Sequence, residues 1–136
     1  PVEQEDVELL TAVTAQASIF EMVDALAEGN ASKAQRLLQV LMEMDREGVF
    51  GMVVRQFRLL IQAREGLDDG LSLDQVGKEM GQKAFVTRKM VGQAQRFTLP
   101  RLESLYHQLL EIDEAVKTSQ MTLETALNLL VVDVGQ

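Results

Sequence analysis

Residues 53–64, which read VVRQFRLLIQAR, decide the fold that this sequence predicts. At about 100° per residue, Arg55 and Arg58 fall in one narrow polar stripe that continues to Glu65. Almost every other residue from 49 to 63 is apolar, and a helix that is apolar on most sides needs neighbours around most of its circumference. The stretch therefore predicts a helical scaffold or assembly module, and nothing close to it resembles catalytic machinery.

The composition is typical of a globular protein. Of the 136 residues, 46% are hydrophobic and 25% are charged, which allows one ordinary core or two very small ones. No apolar run approaches the length of a membrane span, and no segment has the basic start and apolar centre of a signal peptide. Cysteine is absent, which rules out disulfides and fits a cytoplasmic protein. Because the chain starts at Pro1 within an acidic helical pattern, we expect it to be part of a longer protein.

The net charge of −8 is unevenly distributed. Residues 1–45 contain two basic and nine acidic residues, residues 46–101 contain ten basic and six acidic residues, and residues 102–136 contain one basic and six acidic residues. The basic middle segment could meet nucleic acid locally, but the overall negative field opposes tight non-specific binding. The change of sign near residues 45–48 also marks the best candidate for a domain boundary.

Helix-period apolar residues recur along the whole chain, and no segment alternates with the period of a strand. We therefore predict an all-α fold, a helical bundle of about seven to eight helices. The small polar segment 14–17 predicts a break between a short helix over residues 5–13 and a helix capped by Ser18. Later helix starts are predicted after Asn30, Ser72, Thr98 and Thr122, and helix ends at Gly29, Gly48, Gly66 and Gly81.

Two neighbouring predicted helices, over about residues 73–80 and 83–97, imitate a DNA-binding helix-turn-helix. The second begins with Ala84, Phe85 and Val86, which have little ability to pair with base edges. The alternative is that Phe85 and Val86 are core and the basic residues are solvated. The predicted core residues of the two helices are Leu73, Val76, Met80, Phe85, Val86, Met90, Ala94 and Phe97. The candidate DNA contacts are Lys83, Arg88, Lys89 and Arg96.

The last predicted helix is unusually apolar for the end of a chain. Leu129, Val131 and Val132 extend its apolar surface well beyond one face. Such a helix is covered either by its own domain or by a partner subunit, and the sequence leaves both alternatives open. The main apolar face consists of Leu123, Ala126, Leu127, Leu130 and Val134.

The sequence contains no set of residues suited to catalysis. His107 is the only histidine, so a pair of histidine zinc ligands is impossible. No glycine-rich phosphate loop or dinucleotide-binding signature is present, and no carboxylate cluster faces an apolar pocket. We therefore expect no catalytic, cofactor-binding or metal site. Asp113 and Lys117 have the i,i+4 spacing of an exposed ion pair.

Several segments give the chain a resemblance to a known family. They are IFEMVDAL (19–26), RQFRLL (55–60), FVTRK (85–89), QAQRFT (93–98), and Asp113 followed by KTS (117–119). In their order and spacing over nearly the whole chain, they resemble the C-terminal part of the delta subunit of the bacterial DNA polymerase III clamp loader. Gly92 and Pro100 depart from the pattern of that family.

The resemblance implies that residues 1–47 are the C-terminal part of an AAA+-like lid domain and that residues 48–136 are a clamp-loader collar domain. Collar domains of that family hold the loader together, here with delta-prime and tau/gamma-type subunits. The sliding clamp would bind an N-terminal domain outside this sequence, and DNA would be contacted at most indirectly or weakly. The resemblance also implies a non-catalytic subunit, because the polymerase activity of the parent complex resides in another subunit.

Assembly into a ring of different subunits requires two different surface patches on each subunit. The first candidate patch is the last helix, and the second is the polar stripe of Arg55 and Arg58. Internal pairing of these arginines with Glu111 or Asp113 is an equal alternative. The alternative function of the whole chain is that of a helix-turn-helix-like DNA-binding transcription regulator. The candidate interface residues are Leu123, Leu127, Leu130, Val134, Arg55 and Arg58.

Overall fold

A computed structural model describes the backbone of residues 2–134 and the side chains of residues 14–133. Over that range the chain forms seven α-helices and no strand, which confirms the predicted all-α fold. The helices are α1 (Val2–Glu28), α2 (Ala31–Met44), α3 (Arg46–Asp68), α4 (Leu73–Met80), α5 (Ala84–Ala94), α6 (Leu99–Lys117) and α7 (Leu123–Val134). None of the helices in this range is both long and apolar enough to cross a membrane.

The predicted caps are confirmed at four helix starts. Asn30, Ser72, Thr98 and Thr122 each accept, at 3.1–3.3 Å, a hydrogen bond from the backbone N–H three residues ahead. Ser72 forms a complete capping box, because Gln75 Oε1 accepts a hydrogen bond from the Ser72 N–H at 2.8 Å. These bonds satisfy N–H groups that have no partner within the first turn of a helix.

The predicted break at residues 14–17 is wrong, because α1 continues through it to Glu28. Ser18 is therefore an interior residue of the helix and caps nothing. The segment contains neither glycine nor proline, and its two alanines are the strongest helix formers. Ala15 is also buried, so a small side chain in this position is a core residue.

Two glycines that were expected to end helices lie inside α3 instead. The boundary between α2 and α3 falls at Asp45, whose Oδ1 accepts the Gly48 N–H at 3.2 Å. Gly66 lies near the other end of α3, where an added Cβ would stand 2.9 Å from Val76 Cγ2. This glycine permits a close approach of side chains and does not terminate the helix.

The chain divides into two compact units, and the first comprises Pro1–Val53 with Ile112–Gln136. In it, α2 packs against both α1 and α7. The first residue of α3 is tied to α7 by an ion pair, with 3.3 Å between Arg46 and Glu124. The buried apolar residues of this unit are Ala15, Ile19, Phe20, Met22, Val23, Ala25, Leu26, Ala34, Leu38, Leu41, Met42, Val49, Val53, Ala126, Leu127 and Val131.

This first unit groups α7 with α1 and α2, whereas the boundary inferred from the sequence separates them at residues 47 and 48. Contacts within one chain do not test a domain boundary that is inferred from resemblance to a family. The assignment of lid and collar therefore stays a prediction.

The second unit comprises Val54–Glu111, and α4 packs against α5 within it. An added Cβ on Gly77 of α4 would lie 3.2 Å from Thr87 Oγ1 of α5, so a glycine lets the two helices approach closely. The buried apolar residues of this unit are Phe57, Leu59, Leu60, Ala63, Val76, Met80, Met90, Val91, Ala94, Phe97, Leu102, Leu105 and Leu109. Its buried polar residues are Gln56, Thr87 and Gln93.

Part of the predicted core of α4 and α5 is wrong. Leu73 is 39% exposed and Phe85 is 59% exposed, although both were expected to face inward. Thr87 and Gln93 are buried instead. The contact of Thr87 with the glycine of α4 explains why Thr87 is buried, because the face of α5 that carries Thr87 packs against α4.

Candidate assembly surfaces

The last helix, α7, contributes to the core of the first unit and also exposes apolar surface. Leu127 is only 2% exposed and lies in the core with Ala126 and Val131, so the helix is partly covered by its own chain. Leu123 and Leu130 are half-buried, and Leu129 is 57% exposed. The side chain of the remaining candidate, Val134, lies outside the described residues. The accessible apolar surface of α7 is therefore centred on Leu129, which was not among the candidate interface residues.

The polar stripe on α3 is confirmed. Arg55 and Arg58 are exposed, as are the next polar residues along the same face, Gln62 and Glu65. No ion pair involving Arg55 or Arg58 occurs among residues 14–133. Both arginines are therefore presented to solvent in this structure.

The acidic residue that was considered as an internal partner for these arginines pairs elsewhere. Asp113 forms the predicted i,i+4 ion pair with Lys117, with 2.8 Å between Oδ2 and Nζ. The hydrogen bond from Lys117 to Asp113, together with the attraction between their charges, raises the pKa of Lys117 above its ordinary value. The internal alternative for Arg55 and Arg58 therefore finds no support at Asp113.

The candidate DNA contacts of the second unit lie on or next to α5, the second helix of the helix–turn–helix pair that α4 and α5 form. Ser72 caps α4, Gly81 ends it with a left-handed backbone at φ 66°, and α5 starts after Lys83 without a side-chain cap. Phe85 projects from the first turn of α5 into solvent. The candidate DNA contacts Lys83, Arg88, Lys89 and Arg96 are all exposed.

The sequence reasoning missed a buried amide pair in the second unit. Gln56 Nε2 of α3 donates a hydrogen bond to Gln93 Oε1 of α5 at 2.8 Å, and both side chains are buried. The position of Gln56 on its helix could have indicated this pair. It lies outside the polar stripe of Arg55 and Arg58, on a side that is otherwise apolar. A polar residue in such a position needs a buried partner.

Between residues 14 and 133, no three histidine, aspartate or glutamate side chains lie together as a metal-binding group. His107 is exposed. What the structure brings together is a set of apolar and charged surfaces on a helical framework.

The fold and these surfaces define an all-α helical module that presents apolar and basic faces to solvent. The chain belongs to the family of the DNA polymerase III delta subunit, C-terminal domain, whose model matches residues 16–134. The resemblance inferred from the sequence is therefore confirmed.

Two relatives show how far the similarity extends. DNA polymerase III subunit delta of Bacillus subtilis (strain 168) is 22% identical over 127 residues, a match that spans 92% of this chain and 37% of the relative. The solved structure of the Bacillus subtilis DNA clamp loader delta protein has the same fold, with a TM-score of 0.83 and 20% identity over 96% of this chain and 39% of that chain. This chain thus spans less than two fifths of the length of either relative.

Proposed function

We propose that this chain is the C-terminal, assembly-forming part of a clamp-loader delta subunit that takes part in loading the sliding clamp on DNA during replication. The observation that carries the proposal is the family match over residues 16–134, which agrees with the shared fold. In this proposal, residues 1–47 are the end of the AAA+-like lid domain and residues 48–136 are the collar domain. The subunit acts in the cytoplasm.

The proposed role is non-catalytic and requires no cofactor. The name of the relative, DNA polymerase III subunit delta, makes that protein a subunit of a larger assembly. The polymerase activity of such an assembly would reside in another subunit. The proposed partners are delta-prime and tau/gamma-type subunits through the collar, and the sliding clamp through an N-terminal domain.

The proposed interface combines two surfaces of different chemistry, as a ring of unlike subunits requires. One is the apolar surface of α7 around Leu129, with Leu123 and Leu130 beside it and Val134 further along the helix. The other is the polar stripe with Arg55 and Arg58 on α3. Leu127, which is buried, contributes by holding α7 in place and not by direct contact.

The experiment that tests this proposal is reconstitution of the loader from purified subunits, with the substitutions placed in the complete delta-family protein. Leu129→Asp combined with Leu130→Asp should abolish co-elution with delta-prime and tau/gamma-type subunits in size-exclusion chromatography. Circular dichroism should show unchanged helix content. Val40→Asp on α2 is the matched control, since Val40 is apolar and 49% exposed but lies outside the proposed interface.

Arg55→Glu with Arg58→Glu tests the second surface in the same assay and should weaken assembly. Retained assembly with both pairs of substitutions would exclude the proposed interface, while the family assignment would stand. Failure of the unaltered protein to join any loader complex would exclude the assembly role itself.

The comparisons give no support to a transcription regulator. In the proposed function, Lys83, Arg88, Lys89 and Arg96 contact DNA at most weakly and in a salt-sensitive manner. Sequence-dependent binding of a short duplex, lost on Arg88→Glu, would favour the regulator instead.

A further inference from the structure

A surface groove of about 560 Å³ lies between α4 and α5 in the second unit. Its lining includes two glycines and an alanine from the end of one helix and the start of the next, namely Gly77, Gly81 and Ala84. Small side chains leave room on the groove floor for an inserted side chain. Close packing of Gly77 on Thr87 fixes the depth of the groove, because an added Cβ there would lie 3.2 Å from Thr87 Oγ1.

One exposed apolar side chain lines the groove, and a second is adjacent in sequence to a lining residue. Leu73 lines the groove and is 39% exposed, although it opens α4 next to a helix cap. Phe85 is 59% exposed in the first turn of α5, one residue from Ala84 of the lining. At about 100° per residue, Phe85 lies beside Arg88 on the surface of α5. An exposed aromatic residue next to a groove is a typical anchor of a protein interface.

The charges around the groove are opposite in sign to the chain as a whole. Lys78 and Arg88 line it, and Lys83 lies in the turn between the two helices, against the single lining carboxylate of Asp74. The helix α5 contains no acidic residue at all, in a chain with a net charge of −8. The groove is thus a local basic site that complements an acidic ligand.

We propose that the groove between α4 and α5 docks a short acidic peptide segment of a partner protein, which packs apolar side chains against Leu73 and Phe85 and pairs its carboxylates with Lys78 and Arg88. The guanidinium of Arg88 suits a carboxylate because it can donate two parallel hydrogen bonds. The groove contains none of the residues of α7 and α3 that are proposed for subunit assembly, and its ligand does not depend on that role.

A peptide fits the groove better than a polynucleotide does. Asp74 in the lining would repel a phosphate backbone, whereas a peptide can place a neutral or basic residue against it. The concave floor of small residues accepts a branched apolar side chain. Proteins that bind single strands instead use a continuous cationic groove with several stacking aromatics, and Phe85 is the only aromatic residue in α4 or α5.

The test measures fluorescence anisotropy with the full chain and two labelled peptides. The first is a dodecapeptide of glutamate, aspartate and leucine with leucines three and four residues apart, and the second carries lysine at every acidic position. We expect the acidic peptide to bind and the lysine peptide not to bind. Phe85→Ala and Arg88→Glu should each weaken binding about tenfold, as expected for an interface anchor.

Matched controls come from α6 of the same unit. Leu110 is apolar and 45% exposed, and Arg101 is an exposed arginine, so Leu110→Ala and Arg101→Glu should leave binding unchanged. All four side chains are exposed, so we expect none of these substitutions to unfold the protein, and a difference in peptide binding would not result from loss of folding.

Three outcomes would overturn the proposal. The first is the absence of binding by the acidic peptide, and the second is binding that Phe85→Ala and Arg88→Glu leave unaltered. The third is preferential binding of a labelled oligothymidylate that depends on the same two residues, which would assign the groove to single-stranded nucleic acid. Because no loader subunit is present in this assay, its failure is distinguishable from failure of the assembly role.

Discussion

The two units of this chain differ in the polarity of their cores. Within the described residues, the core of the first unit is entirely apolar, whereas the second unit buries Gln56, Thr87 and Gln93. An apolar core tolerates small shifts of one helix along another, since its contacts are not directional. A buried amide pair is satisfied only in one arrangement, because its hydrogen bond requires both distance and angle. The second unit thus fixes the position of α5 on α3 by a polar contact.

The largest effect is expected when a buried side chain in the apolar core of the first unit is truncated. Leu41 is fully buried on α2, the helix that packs against both α1 and α7. Leu41→Ala should lower the free energy of unfolding by about 2–5 kcal/mol, since it removes buried surface and leaves a cavity. Urea unfolding followed by circular dichroism measures this change. The neighbouring exposed residue provides the control, and a loss no larger than that of Val40→Ala would contradict the assigned core.

In the second unit, the same measurement tests the amide pair. Gln56→Leu leaves the Gln93 amide without this partner in a buried site, which should cost about 1–3 kcal/mol. The double variant Gln56→Leu with Gln93→Leu should cost less than the sum of the two single variants, because neither amide then remains. Gln62→Leu, at an exposed position of the same helix, is the control. Additive costs would mean that the two glutamines are not coupled.

This difference between the cores also explains how far the sequence could predict the structure. Helical periodicity predicted the all-α fold, and the capping residues Asn30, Ser72, Thr98 and Thr122 predicted four helix starts. Apolar periodicity failed on α5, where Phe85 is exposed and Thr87 is buried. The reason is that a close approach between α4 and α5 depends on small and polar residues, which a hydrophobic pattern does not identify.

Of the two candidate surfaces, the sequence predicted the exposed residues of one correctly and not those of the other. The polar stripe of Arg55 and Arg58 was predicted correctly as a surface, because a charged stripe on a largely apolar helix has few other places to lie. On α7, the sequence alone could not tell which apolar residues face α2. Leu127 is buried there, and Leu129 is the residue that remains exposed.

Two glycines of α3, one in each unit, differ in the space around them. Gly66→Ala should destabilise the protein by about 1–3 kcal/mol, because the new Cβ would stand 2.9 Å from Val76 Cγ2. Gly51→Ala should instead stabilise it by about 0.5–1 kcal/mol, since no atom lies within 4 Å of the new Cβ and alanine favours the helix. The midpoints of urea unfolding measure both changes. Effects of the same sign would contradict the close contact of Gly66 with α4.

The smallest effects are expected at two ion pairs, one in each unit, whose side chains differ in how much they are buried. In the second unit, Arg64 is half-buried and lies 3.0 Å from Asp68, so Asp68→Asn should cost up to about 1 kcal/mol in the free energy of unfolding. In the first unit, Lys117 is largely exposed, so Lys117→Gln should lower the melting temperature only slightly at pH 7.

The pH dependence of the Lys117 pair follows from the direction of its pKa shift. Asp113 raises the pKa of Lys117 above 10.5, so the folded protein holds this proton more tightly than the unfolded chain. The contribution of the pair is therefore present below pH 10.5 and is lost as the pH rises through the raised pKa. Thermal unfolding of the wild type and Lys117→Gln should accordingly converge above that pH. A difference between them that persisted unchanged above that pH would show that Lys117 stabilises the fold through its methylene chain and not through its charge.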